Sequence, residues 1–162
     1  MRGRADPRPA LPLSKPHYVA GADIGGTNLR LALADAQGVI AARWSASTTG
    51  IHNAESVVEL IRGGVQSMLE EISAPVESLK AIAAGAPGAT NVGDGIVVAT
   101  SYLMGWRNVP FRALLEDALH VPAAGRGAHH ARAGRRSIAG QLACLIGTVR
   151  DSGGAAPSQC SP

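Results

Sequence analysis

The feature that most constrains this chain is a pair of glycines set between two apolar runs, in Gly21-Ala22-Asp23-Ile24-Gly25-Gly26-Thr27-Asn28-Leu29-Arg30. Tyr18, Val19 and Ala20 lead into it. Beyond it, Leu29, Leu31 and Leu33 alternate with Arg30 and Ala32, the period-two pattern of a half-buried strand. The glycines therefore join strand to strand. The dinucleotide fingerprint and the Walker loop both lead from a strand into a helix, so this turn is neither. Without a Cβ, Gly25 and Gly26 can take φ > 0 and let backbone approach a ligand closely. Successive free N–H groups in a tight turn form a concave anion site, here rimmed by the Thr27 hydroxyl and the Asn28 amide. Asp23, at the end of the first strand, is suited to hold Mg²⁺ through water, because that ion favours few carboxylates together with phosphates. The alternative is an ordinary hairpin with a Gly-Gly turn.

The rest of the chain can be read outward from this turn. Ala36-Gln37-Gly38 marks the next turn and Val39 to Ser47 a third strand, which makes an antiparallel meander. Ser47-Thr48-Thr49-Gly50 reads as a polar loop. Asn53 is placed to cap a helix running to about Ile72, with Glu55 in its first turn. Val57, Ile61, Val65, Met68 and Ile72 recur at steps of three and four and define its apolar face. Gly63 and Gly64 interrupt that helix at a cost of about 1 kcal/mol each relative to alanine, unless close packing on a sheet explains them. Leu79 to Ala84, apolar except for Lys80, shows no clean alternation, as in a parallel strand covered on both faces. It runs into Gly85-Ala86-Pro87-Gly88 and a polar loop holding Asn91, Gly93, Asp94 and Gly95. A short strand follows over Ile96 to Thr100. Pro110 can open a helix whose apolar face includes Leu114, Leu115 and Ala118, and Val121-Pro122-Ala123-Ala124 begins a further parallel strand.

With 162 residues, of which 46% are hydrophobic, the chain suits one domain of ordinary size. Only 3% are aromatic, so the core must be built from Ala, Val, Leu and Ile. The modest net charge of +3 comes from arginines near both ends, Arg2, Arg4 and Arg8, then Arg126, Arg132, Arg135, Arg136 and Arg150. A nucleic-acid surface would carry its basic residues on a folded element with aromatics to stack on bases; neither is present, and no nucleic-acid partner is expected. Cys144 and Cys160 have no metal-ligand spacing, and His129-His130 beside Cys144 do not make the four ligands of a zinc site. No apolar run reaches the length of about 18 residues that a membrane helix needs, and the N-terminus has no secretory pattern. The expected location is the cytoplasm.

Asp23-Ile24-Gly25-Gly26-Thr27-Asn28 with Arg30 resembles the first phosphate motif of bacterial glucokinases and the wider repressor/ORF/kinase sugar kinases. The resemblance continues through Gly85-Ala86-Pro87-Gly88 and Gly105-Trp106-Arg107-Asn108-Val109-Pro110 and stops near Ala124. It implies an α/β fold: the N-terminal lobe of the actin-like, ribonuclease-H-like ATPases, a mixed sheet flanked by helices, spanning residues 17–124 with the second lobe missing. It further implies phosphorylation of glucose, or a related hexose, to glucose 6-phosphate with ATP and Mg²⁺, as in glycolysis, and homo-oligomeric intact relatives. Under it, Gly25, Gly26, Thr27, Asn28 and Arg30 face the nucleotide phosphates, Asp23 the Mg²⁺, and Gly88, Thr100 and Ser101 the sugar. Many relatives have an Asn-Leu pair where this chain has Tyr102-Leu103.

The chain departs from the family at Gly125. There the family continues into a Glu-Asn-Asp run whose aspartate takes the proton from the sugar hydroxyl. This chain reads Gly125-Arg126-Gly127-Ala128-His129-His130 and has no Asn-Asp pair at any position, so no catalytic residue is assigned. From Gly125 to Pro162 there is one acidic residue, Asp151, and no lysine. This segment reads as an aberrant tail with the composition of a shifted reading frame, because its local composition disagrees with the fold before it; a divergent tail forming one weak helix or strand is the alternative. Residues 1–16, with Pro7, Pro9, Pro12 and Pro16 among arginines, read as a disordered extension. That stretch is too short for the DNA-binding domain that the family's repressors carry in front.

Overall fold

The computed structural model describes residues 16–91, 93–100 and 106–127. The expectations for residues 1–15 and 128–162, including Cys144, Cys160 and His129-His130, lie outside these residues, as does Ser101.

Strand β1 (Tyr18–Ile24) turns at the glycines into β2 (Asn28–Asp35), and Ile24 pairs with Leu29. Strand β3 (Ile40–Ser47) returns antiparallel to β2. The second turn is set by Asp35, whose Oδ1 accepts from the backbone N–H groups of Gln37 and Val39, both at 2.9 Å. This is the Asx-type closure that makes Asp a turn former, and Gly38 completes it at φ 87°. Val39, expected to begin the strand, belongs to the turn and is exposed.

Helix α1 (Ala54–Glu71) starts where Asn53 accepts from the Ser56 N–H at 2.7 Å. Its buried residues include Val57, Ile61, Val65 and Met68, as the periodicity requires. The crossover lets β4 (Leu79–Ala86) insert beside β1 in parallel, since parallel neighbours need such a connection. A small antiparallel sheet follows, β5 (Ala89–Asn91), β6 (Ile96–Ala99) and β7 (Arg107–Val109). Helix α2 (Phe111–Leu119) then leads into β8 (Ala123–Gly127), which pairs in parallel with β4. The strand runs past Ala124, where the composition changes. The main sheet has the order β3-β2-β1-β4-β8.

Pleating sorts the side chains between the two faces of this sheet. Ala20, Ala22 and Ile24 of β1, Leu29, Leu31 and Leu33 of β2, and Ile82, Ala84 and Ala86 of β4 share one buried cluster with the apolar faces of both helices. Each fully buried leucine there contributes about 1.5–3 kcal/mol relative to exposure. Val19, Ala32, Ala34, Ala81 and Ala83 form a second, smaller cluster from the alternate positions. Strand β4 is thus buried on both faces, which is why its sequence shows no alternation. Strand β2 follows its expected alternation only as far as Leu31, after which both faces are buried.

In α2 the buried residues are Phe111 and Leu115, while Leu114 and Ala118 are only partly buried. The face is turned toward Phe111 because that ring packs on Trp106, their centroids 5.2 Å apart. Gly64 lies against the sheet: a Cβ there would meet the Leu31 side chain and stand 2.7 and 2.9 Å from Trp44 ring carbons. Gly63 has nothing within 4 Å of such a Cβ. Among the described residues no helix is long and apolar enough to cross a membrane.

Candidate active site

Because β1, β4 and β8 are parallel, their carboxyl ends lie side by side. Asp23 is opposite Gly85, and Gly85 is opposite Arg126. The glycine turn after β1 and the Pro87-Gly88 bend after β4 therefore stand at the same edge of the sheet, where ligands of open α/β sheets bind.

The turn is tight. The Gly25 N–H donates to the Asn28 carbonyl at 2.8 Å, and a Cβ on Gly25 would stand 3.0 Å from that oxygen. Neither Gly25 nor Gly26 uses the positive φ open to glycine: the described glycines with positive φ are Gly38, Gly50, Gly88 and Gly95. At Gly25, glycine is required by the close approach of Asn28, not by backbone handedness. Thr27 and Asn28 are exposed, and the Asn28 Nδ2 donates to the Thr27 hydroxyl oxygen at 3.0 Å.

Asp23 and Arg30 are cross-strand partners. The guanidinium stands 3.9 Å from the carboxylate, with side chains 66% (Arg30) and 50% (Asp23) exposed, so the contact is loose and screened by water. No cluster of three or more metal-ligating side chains occurs among the described residues. A single half-exposed carboxylate beside a glycine turn nevertheless fits a magnesium ion that keeps most of its waters.

Of the expected sugar-side residues, Gly88 and Thr100 are brought together. Gly88 takes φ 113°, and a Cβ there would overlap the Ala99 carbonyl and stand 2.9 Å from the Thr100 Cα. Only glycine lets the bend close on the end of β6 in this way. Gly95 (φ 69°) plays a similar part at the other end of this hairpin. The Arg112 side chain lies over it, the Arg112 Nη1 donates to the Gly93 carbonyl at 3.1 Å, and the Arg112 N–H donates to the Gly95 carbonyl at 3.1 Å. These bonds fasten the small sheet to the start of α2.

The residue that sequence reasoning missed is Thr48. It is only 2% exposed, although it sits in a stretch that reads as an ordinary polar loop. Its hydroxyl donates to the Gly25 carbonyl at 3.2 Å and its N–H to the Thr27 carbonyl at 2.9 Å. The Ser47 hydroxyl also reaches the Thr27 carbonyl, at 3.3 Å. No local pattern marks these contacts, which span 20 or more residues.

The meander, the parallel β4 and β8 and the intervening helices make a mixed sheet flanked by helices, a fold shared with about a third of the length of solved ROK structures. The sequence profile of the ROK family matches residues 19–134, and the chain belongs to that family. Among solved structures, a ROK hexokinase from Thermus thermophilus is similar at a TM-score of 0.59 and 23% identity, over 68% of this chain and 35% of that one. A ROK family glucokinase from Streptomyces griseus, solved in complex with glucose and AMPPNP, gives 0.58 and 24%, over 68% and 33%. A ROK family transcriptional regulator, a homolog of the E. coli MLC protein, gives 0.58 and 17%, over 68% and 27%. A comparison with curated proteins finds no significant match. The chain spans between 27% and 35% of the length of these three structures.

Proposed function

We propose that residues 17–124 are the phosphate- and sugar-binding lobe of a cytoplasmic, glucokinase-type sugar kinase, whose intact form transfers the γ-phosphoryl group of ATP to glucose. The observation that carries this reading is the glycine turn between antiparallel strands, with Asp23 and Arg30 at its base and Gly88 closed on Thr100 at the same sheet edge. In this reading the turn at Gly25, Gly26, Thr27 and Asn28, with Arg30, binds phosphate oxygens through N–H, hydroxyl and cationic donors. Asp23 orients the waters of a Mg²⁺ ion, which when bound offsets the charge of the phosphates. Gly88, Thr100 and Ser101 border the sugar. Phosphoryl transfer depends mainly on positioning and charge neutralisation, and this lobe supplies part of both.

The general base is a separate matter. The 162 residues contain no Asn-Asp pair, and losing a positioned base typically costs about 10²–10⁴-fold. That absence favours a second reading, a non-catalytic nucleotide- or protein-binding module of the same fold. A regulator role rests on the fold alone, through the similarity to the MLC homolog.

The test uses two proteins: the 162-residue chain, and a chimera in which the residues from Gly125 onward are replaced by the matching part of an intact ROK glucokinase. A coupled assay for glucose 6-phosphate is expected to show turnover only in the chimera. A silent chimera that is folded and binds Mg·ATP would support the module reading. Turnover by the short chain would overturn the account of the missing base.

A further inference from the structure

We propose that Thr48 is the positioning residue of the phosphate turn: it holds two of the turn's peptide planes so that their N–H groups face away from it, toward an anion. The inference rests on the phosphate reading of that turn and adds to it the residue that sets the donors' direction.

The argument begins with peptide geometry. A trans peptide is planar, and its C=O and N–H point in opposite directions. There are no cis bonds among the described residues. The peptide joining Gly25 to Gly26 presents the Gly25 carbonyl to the Thr48 hydroxyl. Its N–H, that of Gly26, therefore points to the side opposite Thr48. The peptide joining Thr27 to Asn28 presents its carbonyl to the Thr48 N–H, with the Ser47 hydroxyl as a second donor. Its N–H, that of Asn28, is turned the same way. One buried residue thus holds both peptides, and both N–H groups are kept turned away from it because their carbonyls are tied down behind them.

Thr48 is suited to this by its own supports. Its carbonyl accepts from the Ile51 N–H at 3.1 Å, closing a turn of its own. Two residues past Ile51, Asn53 caps α1, so the clamp is attached to a helix packed on the sheet. The turn it holds has two adjacent glycines, whose backbone would otherwise have the widest conformational freedom of any residue. A buried hydroxyl with a partner on a glycine carbonyl removes that freedom where a ligand needs fixed donors. Sites held by such supporting hydrogen bonds bind more tightly because less ordering remains to be done on binding.

The experiment uses the ¹⁵N-labelled 162-residue chain and two variants. Thr48→Val keeps the shape of the side chain and removes the hydroxyl; Thr48→Ser keeps the hydroxyl and removes the methyl. In ligand-free spectra, the Gly26 and Asn28 amide signals are expected to move or broaden in Thr48→Val and to keep their parental positions in Thr48→Ser, while signals from α1 stay unchanged in both. Titration with Mg·ATP is expected to shift Gly26, Thr27 and Asn28 in the parent, with the dissociation constant about five- to tenfold weaker in Thr48→Val and close to parental in Thr48→Ser. The proposal is overturned if Gly26 and Asn28 are unmoved in Thr48→Val, or if Thr48→Ser disturbs them as much, which would make the methyl's packing the operative part. If the parent's turn does not respond to Mg·ATP, the phosphate reading fails, and the hold of Thr48 on the two peptides is still decided by the ligand-free spectra.

Discussion

Gly63 and Gly64 are neighbours in the same helix, yet the structure predicts opposite outcomes when each is replaced by alanine. In a helix interior glycine is about 1 kcal/mol worse than alanine. At Gly63 nothing lies within 4 Å of the added Cβ, so Gly63→Ala is expected to gain about that amount, raising the melting temperature by roughly 4 °C for a domain of this size. At Gly64 the same intrinsic gain meets a wall. The new carbon would stand 2.7 and 2.9 Å from Trp44 ring carbons and overlap the Leu31 side chain, where carbon atoms normally settle at about 3.5–4.0 Å. Leu31 is fully buried and cannot swing aside, so α1 or β3 must shift by most of an ångström. Overpacking of this kind costs about 1–3 kcal/mol. Offset by the propensity gain, Gly64→Ala should show no net gain and a loss of up to about 2 kcal/mol. In a Trp44→Leu background, which removes part of the wall, much of that cost should disappear, because residues in contact are not additive. Urea and thermal unfolding followed by circular dichroism measure the 162-residue chain, Gly63→Ala, Gly64→Ala, Trp44→Leu and the Trp44→Leu/Gly64→Ala double variant. If Gly64→Ala stabilises as much as Gly63→Ala, α1 does not lie on Leu31 and Trp44 as described.

Two further outcomes are expected. Gly88→Ala should lower stability by about 3 kcal/mol, read as a shift in the urea midpoint, because it combines an unfavourable φ of 113° with overlap on the Ala99 carbonyl; a loss below about 1 kcal/mol would mean the bend does not close on β6. In the chimera, Asp23→Ala should reduce kcat/KM for Mg·ATP by about 100-fold while moving the melting temperature by less than about 2 °C, since Asp23 is half exposed and meets Arg30 only at 3.9 Å; unchanged kinetics would remove Asp23 from the site.

The sequence by itself determined the elements whose causes are local. Alternation of Leu29, Leu31 and Leu33 placed β2, and its position directly after two glycines made the turn strand-to-strand. Asn53 and the spacing of Val57, Ile61, Val65 and Met68 placed α1 and its buried face. The largely apolar run from Leu79, without clean alternation, marked a strand covered on both sides. Each of these follows from propensity, capping or periodicity, which act over a few residues. The motif at Asp23 to Arg30 likewise made the candidate site readable, because a glycine turn is built from consecutive residues.

What only the tertiary structure decided depends on residues far apart in the chain. The register that sets Asp23 beside Gly85 and Arg126 follows from strand pairing and leaves no trace in any one segment. Gly64 looks the same as Gly63 until the helix is laid on Leu31 and Trp44. Two glycines in the turn leave open either a left-handed backbone or a close approach, and it is the close approach of the Asn28 carbonyl that the fold uses at Gly25. Strand β7 was too short to show a period, and the rotation of α2 toward Phe111 was set by the Trp106 ring. Thr48 reads as one more loop hydroxyl. Its importance comes from two hydrogen bonds to the backbone of a turn more than 20 residues earlier. Side chain to backbone bonds of that range carry no periodic signature, so folding alone reveals which polar residue lies beneath the turn.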